Sequence, residues 1–210
     1  MVLINKMQKN MKQLVLIFLV MLCLQGYCQT AQEHSSRGFF KLGGKDYEGA
    51  VVEFTKAIEI NPNIGIYYEG RAMAKEYLDD YIGVIKDCTK AIEFSPDNNL
   101  LYIKRGRAKF YLEDYRGSIS DYTKAIVLNS DCAGCYERRG LAKFYLEDYI
   151  GAVADYSKSI ELFPEFCEAY YGRGISKINL TQKNSGCLDL SKAGELGCDI
   201  AYEAIKQYCK

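Results

Sequence analysis

Arg139-Gly140-Leu141-Ala142-Lys143-Phe144-Tyr145-Leu146-Glu147-Asp148-Tyr149 is the stretch whose reading decides the fold, and Gly151-Ala152-Val153-Ala154-Asp155-Tyr156-Ser157-Lys158-Ser159-Ile160 follows it. Nearly the same words stand 34 residues earlier, as Arg105-Gly106-Arg107-Ala108-Lys109-Phe110-Tyr111-Leu112-Glu113-Asp114-Tyr115 and Asp121-Tyr122-Thr123-Lys124-Ala125-Ile126. A further 34 back, Arg71, Ala74, Lys75, Leu78, Asp80-Tyr81, Asp87 and Lys90-Ala91-Ile92 line up, and then Arg37-Gly38, Asp46-Tyr47 and Lys56-Ala57-Ile58. A fixed period of this size predicts stacked helical units, because one unit alone cannot bury its apolar face.

With Ala31 as position 1, the units run 31–64, 65–98, 99–132, 133–166 and 167–200, and each reads as a helix pair. The first helix carries a ring at position 4 (His34, Tyr68, Tyr102, Tyr136, Tyr170) and a small residue at position 8 (Gly38, Ala72, Gly106, Gly140, Gly174), so that bulk faces a gap. Asp-Tyr at positions 16–17 predicts the turn into the second helix, with Asp capping its open N–H groups. The second helix has small residues at positions 20 and 27 and a larger one at 24: Phe54, Cys88, Tyr122, Tyr156, Leu190. Pro62, Pro96 and Pro164 then end three of the second helices. The pairs Glu113-Asp114 and Glu147-Asp148 fall at the turn and read as caps, not as a general acid and base.

This pattern resembles the tetratricopeptide repeat over about 31–200. The resemblance implies an all-α, right-handed superhelical solenoid of about five helix pairs, and 199–210 reads as an amphipathic capping helix. Its predicted apolar face is Ile200, Ala201, Ala204, Ile205 and Tyr208. Lys192-Ala193-Gly194-Glu195-Leu196-Gly197 with Ala201-Tyr202 is also similar to the related Sel1-type repeat. The chain departs from the family in two periodic ways. Arg stands where Leu is usual (Arg37, Arg71, Arg105, Arg139, Arg173) and Lys where Tyr is usual (Lys41, Lys75, Lys109, Lys143, Lys177). Each unit also has an acid at position 23: Glu53, Asp87, Asp121, Asp155 and Asp189. Either each Arg pairs with such an acid, in its own or an adjacent unit, or both are solvated.

The N-terminus differs in kind. Lys6, Lys9 and Lys12 precede an apolar run from Leu14 to Leu24, and no acid occurs before Glu33. This reads as a secretory signal over 1–28, with Gly26 and Cys28 as the small-x-small cleavage site. The run is too short to span a bilayer, so no membrane span is expected after cleavage. Charge balances at 27 basic against 27 acidic residues, and loss of 1–28 leaves 24 against 27. No concentrated basic face for nucleic acid follows from that. An exported protein, periplasmic or secreted, is the reading, and it resembles exported bacterial members of the family.

Seven cysteines lie beyond the signal: Cys88, Cys132, Cys135, Cys167, Cys187, Cys198 and Cys209. An oxidising compartment predicts disulfides. Cys187 with Cys209 is the preferred pair, because Cys187 replaces an Ile or Val on the face that meets the cap. Cys132-Ala133-Gly134-Cys135 enters a helix, and it is open to bridging within itself, to bridging with Cys167 or Cys198, or to thiol-redox chemistry. Cys88, at core position 24, reads as a small buried hydrophobe. With His34 the one histidine, no His-Glu-x-x-His, phosphate-cradling loop or Gly-x-Ser-x-Gly occurs, so neither catalytic residues nor a cofactor or metal is expected.

The resemblance places ligand contacts at positions 2, 5, 9, 12 and 13 of the first helices. Here these give Phe39 and Leu42, then Glu69, Met73, Glu76 and Tyr77, then Ile103, Arg107, Phe110 and Tyr111. The later units add Glu137, Leu141, Phe144, Tyr145, Glu168, Tyr171, Ile175 and Ile178. The lining is mostly apolar and aromatic, as binding surfaces are, although some of the rings could instead pack between helices. The basic and Asn positions by which related repeats clamp a chaperone tail are occupied by Ser35, Phe39, Glu69 and Met73. The sequence thus predicts a non-enzymatic adaptor for a protein or peptide ligand, with a thiol-redox protein and a self-associating homo-oligomer as alternatives.

Overall fold

The computed structural model describes residues 14, 16–18 and 30–210. The signal reading of 1–28 lies outside the described residues except at 14 and 16–18, which are helical and exposed. Among the described residues every regular element is a helix, and no helix is long and apolar enough to cross a membrane. The helices group into two compact units, Met1–Asp80 and Tyr81–Lys210.

The first unit holds α1 (30–43), α2 (Tyr47–Ile60) and α3 (Gly65–Tyr77). The second holds α4 (Tyr81–Phe94), α5 (Asn99–Tyr111), α6 (Tyr115–Leu128), α7 (Ala133–Tyr145), α8 (Tyr149–Leu162), α9 (Cys167–Asn179), α10 (Lys183–Glu195) and α11 (Ile200–Tyr208). In the second unit each helix packs on the next, which is how amphipathic helices joined by short turns bury their stripes.

The turns are built as the Asp-Tyr spacing predicts, with one refinement. Asp46, Asp114 and Asp148 accept from the N–H groups of Gly49, Gly117 and Gly151, each at 2.9 Å. The acid before the cap acts differently, since Glu113 and Glu147 sit at φ 60° and 62°. They take the left-handed conformation that ends a helix, a position where glycine is usual. Capping therefore falls to the Asp alone.

The residue that fills the gap at position 8 is not the position-4 ring. Phe54, Tyr122, Tyr156 and Leu190, all at position 24, are fully buried. A Cβ on Gly38 would come within 2.9 Å of the Phe54 ring, and one on Gly140 within 3.3 Å of Tyr156. The ring at position 4 is held elsewhere, because the Tyr68 and Tyr102 hydroxyls donate to the carbonyls of Pro62 and Pro96 at 3.0 and 3.1 Å. Each buried position-24 side chain contributes roughly 1.5–3 kcal/mol of burial.

The periodic Arg, Lys and acid form one device. In the second unit, Arg105, Arg139 and Arg173 pair with Asp121, Asp155 and Asp189 of the same repeat at 2.7, 2.6 and 2.7 Å. Lys109, Lys143 and Lys177 join the same carboxylates at 2.8, 2.7 and 2.7 Å. Each Arg also donates to a hydroxyl of the preceding repeat, at Thr89, Thr123 and Ser157, and its guanidinium lies 5.4–5.6 Å from the ring of Tyr102, Tyr136 or Tyr170. One side chain thereby ties two repeats together. In the first unit Arg71 donates to Thr55 at 3.1 Å. Glu53 there takes Arg37 at 3.2 Å and His34 at 2.7 Å, and the His34 hydrogen bond holds its carboxyl down to about 2.

At the C-terminal end the buried stripe of α11 is Ala201 and Ala204, against Ala193, Cys198, Cys167, Tyr170 and Tyr171. Ile200 and Tyr208, expected in that stripe, are 57% and 38% exposed, because only small side chains fit where α11 lies close to its neighbours. Among the described residues there are three disulfides, Cys132–Cys135, Cys167–Cys198 and Cys187–Cys209, with Cα–Cα distances of 5.2, 5.8 and 5.7 Å. The two longer links tie α9 and α10 to the segment after α10, and loops of this size lower unfolded-state entropy by on the order of 3 kcal/mol each. Cys88 is a buried thiol outside the three bridges.

Candidate functional site

The candidate lining residues divide by what their rings touch. In the first unit Phe39 stands edge-on to Phe54 at 4.9 Å, Leu42 packs on the Ala50–Phe54–Ala74 cluster, and Met73 is half-buried. Tyr77 is exposed but lies flat on Tyr47, the rings 4.4 Å apart. The second unit repeats this arrangement. Tyr111 stacks on Tyr81 at 4.7 Å, and Tyr145 on Tyr115 at 5.0 Å. Position 13 thus gives one face of its ring to the Tyr of the preceding turn. Ile103 packs on the Tyr102–Tyr122 cluster, and Phe110 stands edge-on to Tyr115 and Tyr145. Arg107 is exposed.

Seven of the candidates, Glu137, Leu141, Phe144, Tyr145, Glu168, Tyr171 and Ile175, come together around a cavity of about 370 Å³ between α7 and α9. Arg138, Tyr156, Gly172 and Ile200 complete the wall. Arg138, Tyr156, Gly172 and Ile200 lie outside the positions that the spacing singles out. Gly172 had a signal: with no side chain, it leaves room for the Tyr156 hydroxyl, 2.7 Å from where its Cβ would stand.

Glu137 is the unusual member. It is 5% exposed, on a helix face where the neighbouring repeats carry Ile103 and Tyr171. Its Oε2 atom is buried and has no hydrogen-bond donor, although Arg138 Nε lies 3.0 Å away, off the line a hydrogen bond needs. Burial pushes its carboxyl up to about 7, with Arg138 pulling the other way and Glu168 adding to the rise. Burial likewise raises the Tyr156 and Tyr171 phenols, so both stay neutral hydroxyls. The cavity therefore offers apolar and aromatic walls and one underused carboxylate. It has the size and character of a small ligand site.

The Cys132–Cys135 bridge lies at the start of α7, where Cys132 Sγ accepts from the Cys135 N–H at 3.2 Å. Cys135 is buried against Tyr102, Tyr122, Ala125 and Ile126. Cys167, Glu168 and Cys198 bring potential metal-ligating atoms within 4.8 Å of one another, but the two sulfurs share a bridge and are not thiolates.

No protein-family model matches the sequence, and no curated protein does. Solved structures do. MamA matches with a TM-score of 0.77 at 21% identity, over 86% of this chain and 96% of that one. MamA from Desulfovibrio magneticus RS-1 matches with a TM-score of 0.76 at 16% identity, over 80% and 94%. YrrB, described as a TPR protein with an unusual peptide-binding site, matches with a TM-score of 0.75 at 18% identity, over 82% and 90%. The chain has the tetratricopeptide-repeat fold. Within this tetratricopeptide array, the Arg and Lys that replace the usual Leu and Tyr have a structural role, since they surround the position-23 acid.

Proposed function

We propose that the chain is an exported, non-enzymatic adaptor: a repeat array over 29–200, closed by 199–210, that holds a peptide segment or helix of another envelope protein on its first-helix face. The observation that carries this reading is the α7–α9 cavity, where Leu141, Phe144, Tyr171 and Ile175 stay only half-buried around free volume. Apolar side chains left in that state are typical of a surface awaiting a partner. The peptide-binding site of YrrB supports the same use of the fold. Three disulfides support export, since they persist in oxidising compartments.

A thiol-redox role for Cys132–Cys135 is the weaker reading, because Cys135 is packed into the core against Tyr102, Tyr122, Ala125 and Ile126 and only Cys132 is half-exposed to an attacking thiolate. The test is selection from a random twelve-residue peptide library on the full chain, followed by binding to a Phe144→Ala/Ile175→Ala variant that circular dichroism shows to be helical. Selected peptides should lose about tenfold or more in affinity for the variant. Equal affinity for both chains would move the site elsewhere.

A further inference from the structure

We infer that the α7–α9 cavity takes a cationic side chain of the bound peptide, lysine or arginine, with the Glu137 carboxylate as its counter-ion. The inference rests on the peptide-binding reading above and supplies its chemistry. Glu137 has a side chain only 6% exposed and an Oε2 atom that no donor satisfies. A buried polar atom without a partner costs free energy, and a ligand that supplies the missing donor recovers it.

The charge around the cavity selects the donor's sign. Two carboxylates, Glu137 and Glu168, line it against one guanidinium, that of Arg138, which is 49% exposed and turned partly to water. The other polar side chains in the wall, Tyr145, Tyr156 and Tyr171, are phenols. A carboxylate entering this wall would be a third acidic group beside Glu137 and Glu168. A purely apolar side chain would seal Glu137 away from water with its acceptor still unmade. Lysine and arginine avoid both costs, because their alkyl stems pack on apolar walls such as Leu141 and Ile175 while the charged end reaches the carboxylate. Phe144, Tyr145 and Tyr171 add ring faces that attract a cation.

The test uses peptides selected from the random library on the full chain, each resynthesised with every basic residue replaced in turn by methionine. One lysine or arginine should prove essential, its replacement costing about tenfold or more on the wild-type chain. That difference should vanish on a Glu137→Gln variant, which keeps the shape and loses no hydrogen bond. Peptides that need Phe144 and Ile175 but tolerate every basic-to-methionine change would overturn the inference and leave the adaptor reading standing. Peptides insensitive to Phe144→Ala/Ile175→Ala, or a library that yields none, would overturn both.

Discussion

Asp155→Ala is expected to lower the stability of the chain by about 3–5 kcal/mol, measured by urea or thermal unfolding followed by circular dichroism. Asp155 is 4% exposed and is the shared counter-ion of Arg139 and Lys143, at 2.6 and 2.7 Å. Those two cations are themselves only 16% and 21% exposed, so removing the acid leaves two positive charges facing each other with little water to screen them. Arg139 also holds Thr123 of the preceding repeat, and its reorientation would loosen the joint between α6 and α7. Glu161→Ala is the control: Glu161 pairs with Lys158 at 2.6 Å but is 66% exposed, and its loss should cost no more than about 1 kcal/mol. Equal, small effects from the two substitutions would reduce the ladder to surface decoration. A simple exchange of Arg and Asp is a poor test, because the third member, Lys143, would then face an arginine.

Stability should fall as pH rises from about 5 to 8, and Glu137→Gln should remove most of that fall. Glu137 ionises near its ordinary value of 4.5 in the unfolded chain but only at about 7 when folded. Below 4.5 both states are protonated and the group contributes nothing. Between 4.5 and 7 the unfolded chain sheds its proton while the folded chain keeps it, which favours unfolding progressively. Above 7 the penalty is complete, at roughly 3 kcal/mol. The charged and titratable groups that bear on it are Arg138 on its own helix, Tyr122 on α6, Tyr156 on α8 and Glu168 and Tyr171 on α9. Unfolding midpoints of wild type and Glu137→Gln measured at pH 5 and pH 8 decide it. A wild-type curve parallel to that of the variant would mean that Glu137 is solvated in the folded chain.

The helix pairs were legible because they recur every 34 residues, and the same recurrence marks the Arg and acid positions, although it leaves open whether they pair or are solvated. Asp114 and Asp148 could be read as caps for the same reason. What depends on how neighbouring helices cross, or on several helices at once, was not legible even where the residues themselves recur. Nothing in the spacing tells whether position 4 or position 24 fills the gap at Gly140, since both are aromatic and the choice depends on how the two helices of the pair cross. The burial of Glu137 depends on side chains from α7, α8 and α9 at once, and no local pattern records it. The stacking of Tyr145 on Tyr115 joins residues 30 apart in adjacent repeats, and it shows that half of each such ring serves the array before it can serve a ligand. Periodicity puts Ile200 on the packed face of α11, but it reaches the cavity wall because the helix rests on its alanines.

Peptide docking at the α7–α9 cavity is tested most directly by photo-crosslinking a library-selected peptide to chains carrying p-benzoylphenylalanine in place of Phe144 in the cavity wall or of Val127 on α6. Val127 is 72% exposed, so accessibility alone favours the control position. The expected result is a peptide adduct at position 144 that excess unlabelled peptide competes away, and none at 127. Adducts at 127 equal to or stronger than those at 144 would contradict docking in the cavity.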